Sequence, residues 1–460
     1  MASSNTFCTF GGKPLTSAGR FSPSCGGDLD VPVAPIVAPT PAAAPARIRS
    51  RGRSLPVAIR VGLVGLLAAV AFAGCGGGST SSRATSIANQ QSTAPIATPR
   101  TNTQSAEPTT EPSHGPTGFS PTGSMTIARQ NETATRLQDG RVLIAGGESA
   151  DAMTLIASAE LYDPATGKFS ATGSMATSRD FTTATLLADG RVLIAGGFDG
   201  SKSLASAELY DPTTGKFSPT GSMAVARFAH TSTLLPDGRV LIAGGDDKSD
   251  LASAEIYDPK TGKFSPTGSM SQARYSHTAT LLQNGVVLIA GGDDDSGASL
   301  VTLASAELYD PATGKFNPTG SMQTAREYHT ATLLSDGRAL ITGGYVVHPG
   351  SDDATLASAE LYDPATGKFS AAASIKNERR QHTATLLSDG RVLIAGGEDE
   401  SETALASTEL YDPEAGKFSP AGSLAQARFY HTATRLSDGR VLIAGGDDES
   451  GLASAELYQP

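Results

Sequence analysis

HTATLLSDGRVLIAGG, residues 382–397, decides the fold. Its first half alternates polar and apolar residues, as a half-buried strand does. Its second half, Arg391-Val-Leu-Ile-Ala, is a continuous apolar run, as expected of a strand covered on both faces. Between them stands Asp389-Gly390. Asx-Gly between two apolar runs is a strong hairpin signal, because a type I′ turn needs positive φ at both central residues. The pair Gly396-Gly397 then removes side chains where backbones approach closely.

The same stretch occurs seven times. Its first glycine falls at Gly146, Gly196, Gly244, Gly291, Gly343, Gly396 and Gly445. The loop after Gly-Gly varies from 5 to 11 residues, and without it every repeat is 42 residues long. All length variation therefore sits in one loop, while the remaining backbone behaves as a packed, paired frame. After the loop, SAELY alternates as a third strand, DPxTGK supplies a turn, and KFSPTGSM gives a fourth strand whose proline suits a sheet edge. The expected fold class is all-β, with seven four-stranded antiparallel blades.

Repeats of this length with an internal Gly-Gly resemble the kelch family of β-propellers, and the resemblance covers residues 119–460. Tyrosine follows Glu-Leu or Glu-Ile in the third strand, at Tyr162, Tyr210, Tyr257, Tyr309, Tyr362, Tyr411 and Tyr458. Where the family often carries Trp near the fourth strand, this chain carries Phe, from Phe169 to Phe418, and it has no Trp at all. The chain ends after a third strand, at Tyr458-Gln459-Pro460, and enters the repeat at Phe119, in a fourth. Residues 119–125 are thus expected to complete the last blade, so that the N-terminal strand closes the ring.

Of the 460 residues, those before 119 carry a net charge of +5, and the body carries −16. An acidic body argues against a nucleic-acid partner. Residues 1–75 read as a leader. Its segment 47–75 has five arginines, an apolar run Val61–Ala73 and the ending Ala73-Gly74-Cys75. That is the layout of a secretory signal, and the run is too short to span a bilayer. The ending resembles the lipobox of bacterial lipoproteins, with Phe72 where Leu is usual; the resemblance implies lipidation at Cys75 and an extracytoplasmic protein anchored at the cell surface or in the periplasm, and a monomer is expected. Without lipidation the protein would be secreted. The leader begins unusually late, which suggests a true start downstream of residue 1. Residues 76–118 are rich in Ser, Thr, Pro and Ala and read as a disordered tether.

Three patterns could carry chemistry. His230, His277, His329, His382 and His431 share one repeat position. A ring of His could bind metal, but one residue copied around a ring fits a repeated structural bond within each blade better. An Arg before every first strand, starting with Arg129, and a Glu in every third strand, starting with Glu160, read as a repeated ion pair. The informative positions are those where the copies differ. The loops after Gly-Gly carry Asp246, Asp247, Asp293, Asp294, Asp295, Glu398, Asp399, Asp447 and Asp448. The links into the first strands carry Phe181, Phe228, Tyr275, Tyr328, Phe429 and Tyr430, and the longest loop adds Tyr345 and His348. In an antiparallel blade these two segments share a face. Aromatics ringed by carboxylates could bind a protein, a glycan or a cation, and paired Asp could hold Ca²⁺; a solvated acidic rim is the alternative.

The expected function is an extracytoplasmic protein- or carbohydrate-binding module acting through this face, with no resident cofactor. Two alternatives stand beside it: a carbohydrate-active enzyme of mutarotase or oxidase type, and a repeat array without a tuned site. The family that the repeats resemble includes galactose oxidase, whose copper-radical chemistry needs a Tyr cross-linked to Cys. Residues 119–460 contain no Cys.

Overall fold

A computed structural model describes residues 118–149, 154–295, 300–348 and 353–460. Cys75, the leader and nearly all of the tether lie outside these residues. The described chain forms seven four-stranded antiparallel sheets, the blades of a propeller. Blade 1 consists of Thr133–Arg136, Val142–Ala145, Ser158–Asp163 and Lys168–Ser174, in that order across the sheet. Blades 2 to 6 repeat the pattern, with first strands opening at Thr183, Thr231, Thr278, Thr330 and Thr383.

Blade 7 takes three strands from the C-terminus, Thr432–Arg435, Val441–Ala444 and Ala455–Gln459. Its fourth is Gly118–Pro121, paired antiparallel with Ala455–Gln459 so that Phe119 faces Tyr458. The N-terminal strand closes the ring as expected, beginning one residue earlier, at Gly118. Hydrogen bonds from Thr122 N to Ala455 O and from Met125 N to Ala453 O extend the seam.

The core lies between blades. Successive residues of the second strand point to opposite faces. Val192 and Ile194 pack on Leu143 and Ala145 of blade 1, while Leu193 and Ala195 pack on Val240 and Ile242 of blade 3. Every residue of this strand is buried in each blade, which is why the run reads as continuously apolar. At ~1.5–3 kcal/mol for each large side chain buried, this stacking is the main driving force. The third-strand Tyr and fourth-strand Phe of each blade stack at ring centroid distances such as 4.9 Å for Tyr162 and Phe169. Each fourth-strand Phe thus packs on the third-strand Tyr of its own blade.

The fourth strands are shorter than the sequence suggests. Five of the seven, among them Lys216–Pro219, span four residues. The Thr-Gly that follows serves the neighbouring blade instead. Thr122 Oγ1 lies 2.9 Å from the Tyr162 hydroxyl, and Gly123 N donates to Gly167 O at 2.9 Å. Similar Thr–Tyr bonds reach Tyr210, Tyr257, Tyr309 and Tyr362. At Tyr411 and Tyr458 the Thr is replaced by Ala372 and Ala421, so blade 6 lacks this tie on both sides.

Restoring the repeat with Ala372→Thr and Ala373→Gly should add a hydroxyl bond to Tyr411 and the Gly–Gly backbone bond. A gain of ~1 kcal/mol for one net hydrogen bond corresponds to about 2 °C in melting temperature for a ring of this size. Calorimetry of both chains checks this, and an unchanged or lower melting temperature refutes it.

Candidate functional site

Each copy of the repeated Arg is buried, and its guanidinium is fixed within its own blade. Arg129 Nη1 donates to Gly146 O and Ser158 O, both at 3.1 Å, and Nη2 reaches Glu160 Oε1 at 3.1 Å. All seven copies repeat this pairing. The Arg and Glu are structural, as their repetition implies. The Arg backbone does something further. In every blade its carbonyl accepts from the second glycine of the preceding blade, as from Gly147 N to Arg179 O at 2.9 Å. The contact from Gly446 N to Arg129 O completes the circle at 2.9 Å. A side chain on Gly146 would meet Arg179 O at 2.8 Å, and one on Gly196 would meet both Arg227 O and His230. This close approach, with φ of +72° and +64°, explains the Gly-Gly pair.

The histidines correct the sequence reading. Their bonds run between blades rather than within them. His230 Nε2 lies 3.0 Å from Thr183 Oγ1, and His277, His329, His382 and His431 likewise reach the preceding blade. Burial, followed by the adjacent Arg, depresses His230, His329 and His431 to about 3, so these rings are neutral. At the closing seam Glu132 takes the place of His and accepts from Thr432 Oγ1 at 3.4 Å. Burial raises Glu132 to about 8.

Beyond the Arg, the copies diverge. The next residue forms a β-bridge with the residue that follows Gly-Gly, as between Asp180 and Phe198 or Tyr275 and Asp293. The link and the variable loop therefore do share one face, as the strand order implies. The second residue after Arg has a left-handed backbone in all seven blades, although none is glycine. These are Asn131, Phe181, Ala229, Ser276, Tyr328, Gln381 and Tyr430, with φ between 47° and 56°. Six successive pairs in this ring are joined by backbone hydrogen bonds, for example Gln381 N to Tyr328 O at 3.1 Å. Phe181 N turns to Asp180 Oδ1 instead, at 2.9 Å. This collar surrounds the propeller axis and over-determines a strained conformation.

Three rings of seven residues thus meet at one mouth. The collar is the first. Gln130, Asp180, Phe228, Tyr275, Glu327, Arg380 and Phe429 form the second. Glu148, Phe198, Asp246, Asp293, Tyr345, Glu398 and Asp447 form the third. Across the collar, Phe181 and Tyr328 each meet Tyr430 edge-on, at centroid distances of 6.2 and 6.5 Å. Gln381 Nε2 donates to the Tyr430 hydroxyl at 2.6 Å. Arg380 binds Glu398 Oε2 at 3.0 Å and lies 4.5 Å over the Tyr345 ring. Asp293 and Glu327 form a buried carboxyl pair. Burial, then Asp293, pushes Glu327 well above the usual carboxylate range, and burial also raises Asp293. Burial, then Glu148, raises Asp180 to about 8.

The structure therefore brings Phe181, Phe228, Tyr275, Tyr328, Phe429, Tyr430, Asp246, Asp293, Tyr345, Glu398 and Asp447 together. The remaining expected residues stand further out on the loops. Asp399 caps its own turn through Ser401 N and Thr403 N, and Asp448 accepts from Ser450. Asp247 N donates within its loop to Ser249 O. Asp294 is half-buried, Asp295 and His348 are exposed, and the His348 amide donates to Asp353. Glu327, Arg380, Gln381, Asp180, Asn131 and Glu148 were not singled out from the sequence. Their signal is their place one or two residues after the repeated Arg, or just after Gly-Gly.

Apart from the contacts that Asp293 makes with the Glu327 carboxyl and Thr302, nine buried side-chain atoms among the described residues, other than the repeated Arg Nε and His Nδ1, make no hydrogen bond. Seven belong to these three rings: Asn131 Nδ2, Glu148 Oε1, Asp246 Oδ1, both Asp293 oxygens, Glu327 Oε2 and Gln381 Oε1.

A model of the KLHDC2/KLHL20/DRC7 Kelch-repeats domain matches residues 229–446, and a Kelch motif model matches residues 183–224. The body is a kelch-repeat β-propeller. Among solved structures it is similar to a fungal alcohol oxidase of the AA5 family, in complex with copper, with a TM-score of 0.61 and 19% identity over 75% of this chain and 76% of that one. That likeness concerns the fold. No curated protein sequence matches the chain. The donor set of this kelch ring does not fit copper: its five repeated histidines direct Nε2 to threonine hydroxyls between blades. No group of three or more His, Cys, Asp or Glu among the described residues is arranged to hold a metal ion.

Glu132 gives the ring a pH dependence of known sign. Its folded value, about 8, exceeds the ordinary 4.5, so the folded state retains the proton. That contribution is full below the ordinary value and is lost as pH rises through about 8. Glu132→Gln keeps the shape and an acceptor for Thr432. Between pH 6 and pH 9 its melting temperature should fall less than that of the parent chain. Parallel pH profiles refute the assignment.

Proposed function

We propose that this chain is a binding module whose ligand, a glycan or a protein segment, docks at the mouth formed by the three rings. The observation that carries the reading is the convergence there of unlike residues on an otherwise uniform frame. A propeller without a tuned site would vary its rim without leaving buried polar atoms unmatched at one place. Such atoms are rare in folded proteins and commonly await a ligand, a water or an ion. Half-buried aromatics beside them offer flat apolar surface, the mixture found in ligand pockets. The collar's strain supports the reading as well, since bulky residues at positive φ persist where their side chains are required.

The opposite face carries near-identical turns, six of the seven with an exposed pair such as Asp389 and Arg391 at 2.6 Å, and so offers little to discriminate partners. Ala229 shows that the collar tolerates a small side chain. Tyr328→Ala with Tyr430→Ala should therefore leave a folded ring and lower recovery of the ligand at least about tenfold, the usual scale for loss of aromatic anchors. Glycan arrays and partner recovery with the full chain measure this, with Asp389→Asn plus Arg391→Gln as the far-face control. Equal loss in both variants, or in neither, overturns the proposal.

A second reading, a carbohydrate-active enzyme, rests on the Asp293–Glu327 pair. A carboxyl group held protonated beside another carboxylate is suited to proton transfer at neutral pH. A captured glycan that is not chemically altered would dismiss it.

We further infer that the module works as a monomer outside the cytoplasm, held by a lipid on Cys75 and spaced from the membrane by residues 76–118. The basic, apolar and small-residue succession before Cys75 supports this. Cys75→Ala should release the protein from the membrane fraction of cells that label the parent chain with palmitate. A parent chain that takes up no label refutes the anchor.

A further inference from the structure

The mouth has a marked chemical bias. Of its 21 ring positions, seven are acidic, eight are aromatic and one, Arg380, is basic. Arg380 is already engaged with Glu398 and the Tyr345 ring. Of the seven unmatched buried atoms in the rings, six are oxygens and one is a nitrogen. What is missing is thus a set of hydrogen-bond donors, in a place that is negative and lined by π faces. Asp293 makes the case most sharply. It is fully buried beside Thr302 and the carboxyl of Glu327, which is itself buried and has one unmatched oxygen.

We propose that the ligand enters the mouth with a cationic nitrogen group, an ammonium or guanidinium carrying N–H donors, which the Asp293–Glu327 pair receives between Tyr275 and Tyr328. This rests on the binding reading above and narrows it. A donor-only cation matches surroundings rich in carboxyl acceptors. A carbonyl or carboxylate ligand would add further acceptors, and a hydrocarbon would leave the oxygens unmatched. The tyrosines contribute through their faces, which attract cations by their quadrupole. Both are partly open to solvent, so the carboxyl pair has a route to the surface beside them. The carboxyl pair holds a proton when alone, and the arriving cation takes over its role. The bonds made are N–H···O contacts, and the proton leaves to buffer.

The test uses the full chain with two small probes of one shape, methylguanidinium and N-methylurea. Binding is read by saturation-transfer NMR, and proton release by calorimetry in two buffers of different ionisation enthalpy. Methylguanidinium should bind about tenfold more tightly than N-methylurea, consistent with a cation–π and charge contribution of ~1–2 kcal/mol. It should release protons on binding at pH 7. Glu327→Gln and, separately, Asp293→Asn should each weaken the cation and leave the urea unchanged, with melting temperatures recorded to confirm folding. Equal affinity for the two probes, no binding of methylguanidinium, or full cation binding in both folded variants overturns the proposal. If the cation fails while Tyr328→Ala with Tyr430→Ala still abolishes ligand recovery, the binding reading stands and only the ligand class falls. If both fail, both fall.

Discussion

One buried arginine per blade holds this ring together. Its guanidinium is clamped by a glycine carbonyl, a serine and a glutamate of its own blade, and its backbone carbonyl is held by the second glycine of the blade before. A buried guanidinium without such partners would be very costly, and removing one partner of a buried pair typically costs ~3–5 kcal/mol. The arrangement therefore tolerates little drift. The Gly-Gly pair must remain free of side chains, the third strand must present Glu, and the link before the first strand must arrive at a fixed point. The same contact recurs seven times and closes on itself at Arg129.

That constraint explains where the chain is free to differ. Immediately beyond the Arg the link has no role in the clamp, yet its position is fixed to the frame. The residue after Gly-Gly is pinned to it by a β-bridge. Side chains at these places can change without disturbing a neighbour's packing, and whatever they are, they face the same mouth. The frame thus acts as a set of seven brackets that carry unlike side chains to one location. Catalytic and binding sites on rigid scaffolds are commonly built in this way.

The fold was legible because it is periodic. An alternating strand, an Asx-Gly turn and an apolar strand recur with fixed spacing, and the chain ends imply the strand that completes blade 7. The mouth was legible in part. Aromatic and acidic residues stand out by composition, so Tyr328, Tyr430, Asp293 and Glu398 were recognisable. Glu327, Arg380 and Gln381 were not, because no composition rule marks a single polar residue beside a repeated arginine. Their importance comes from the bridge and the collar, which are contacts between segments or blades. The histidines show the same limit. A repeat position reveals that a bond is made in every copy, but sequence alone does not say which neighbouring blade supplies the partner.

The collar offers a final physical argument. Its left-handed backbone is the conformation for which glycine is best suited, and non-glycine residues adopt it at a cost of ~1–3 kcal/mol each. This chain uses glycine freely elsewhere, with 51 residues of it, yet places none in the collar. If the position served only to turn the chain, glycine would be the stable solution in every copy, as it is at each Gly-Gly. Instead Phe181, Tyr328 and Tyr430 stand there, and their rings meet across the mouth. The strain is retained together with buried carboxyl groups that lack donors, two destabilising features within one small region. Marginally stable proteins keep such features where the side chains themselves are needed, and this supports the binding role proposed for the collar.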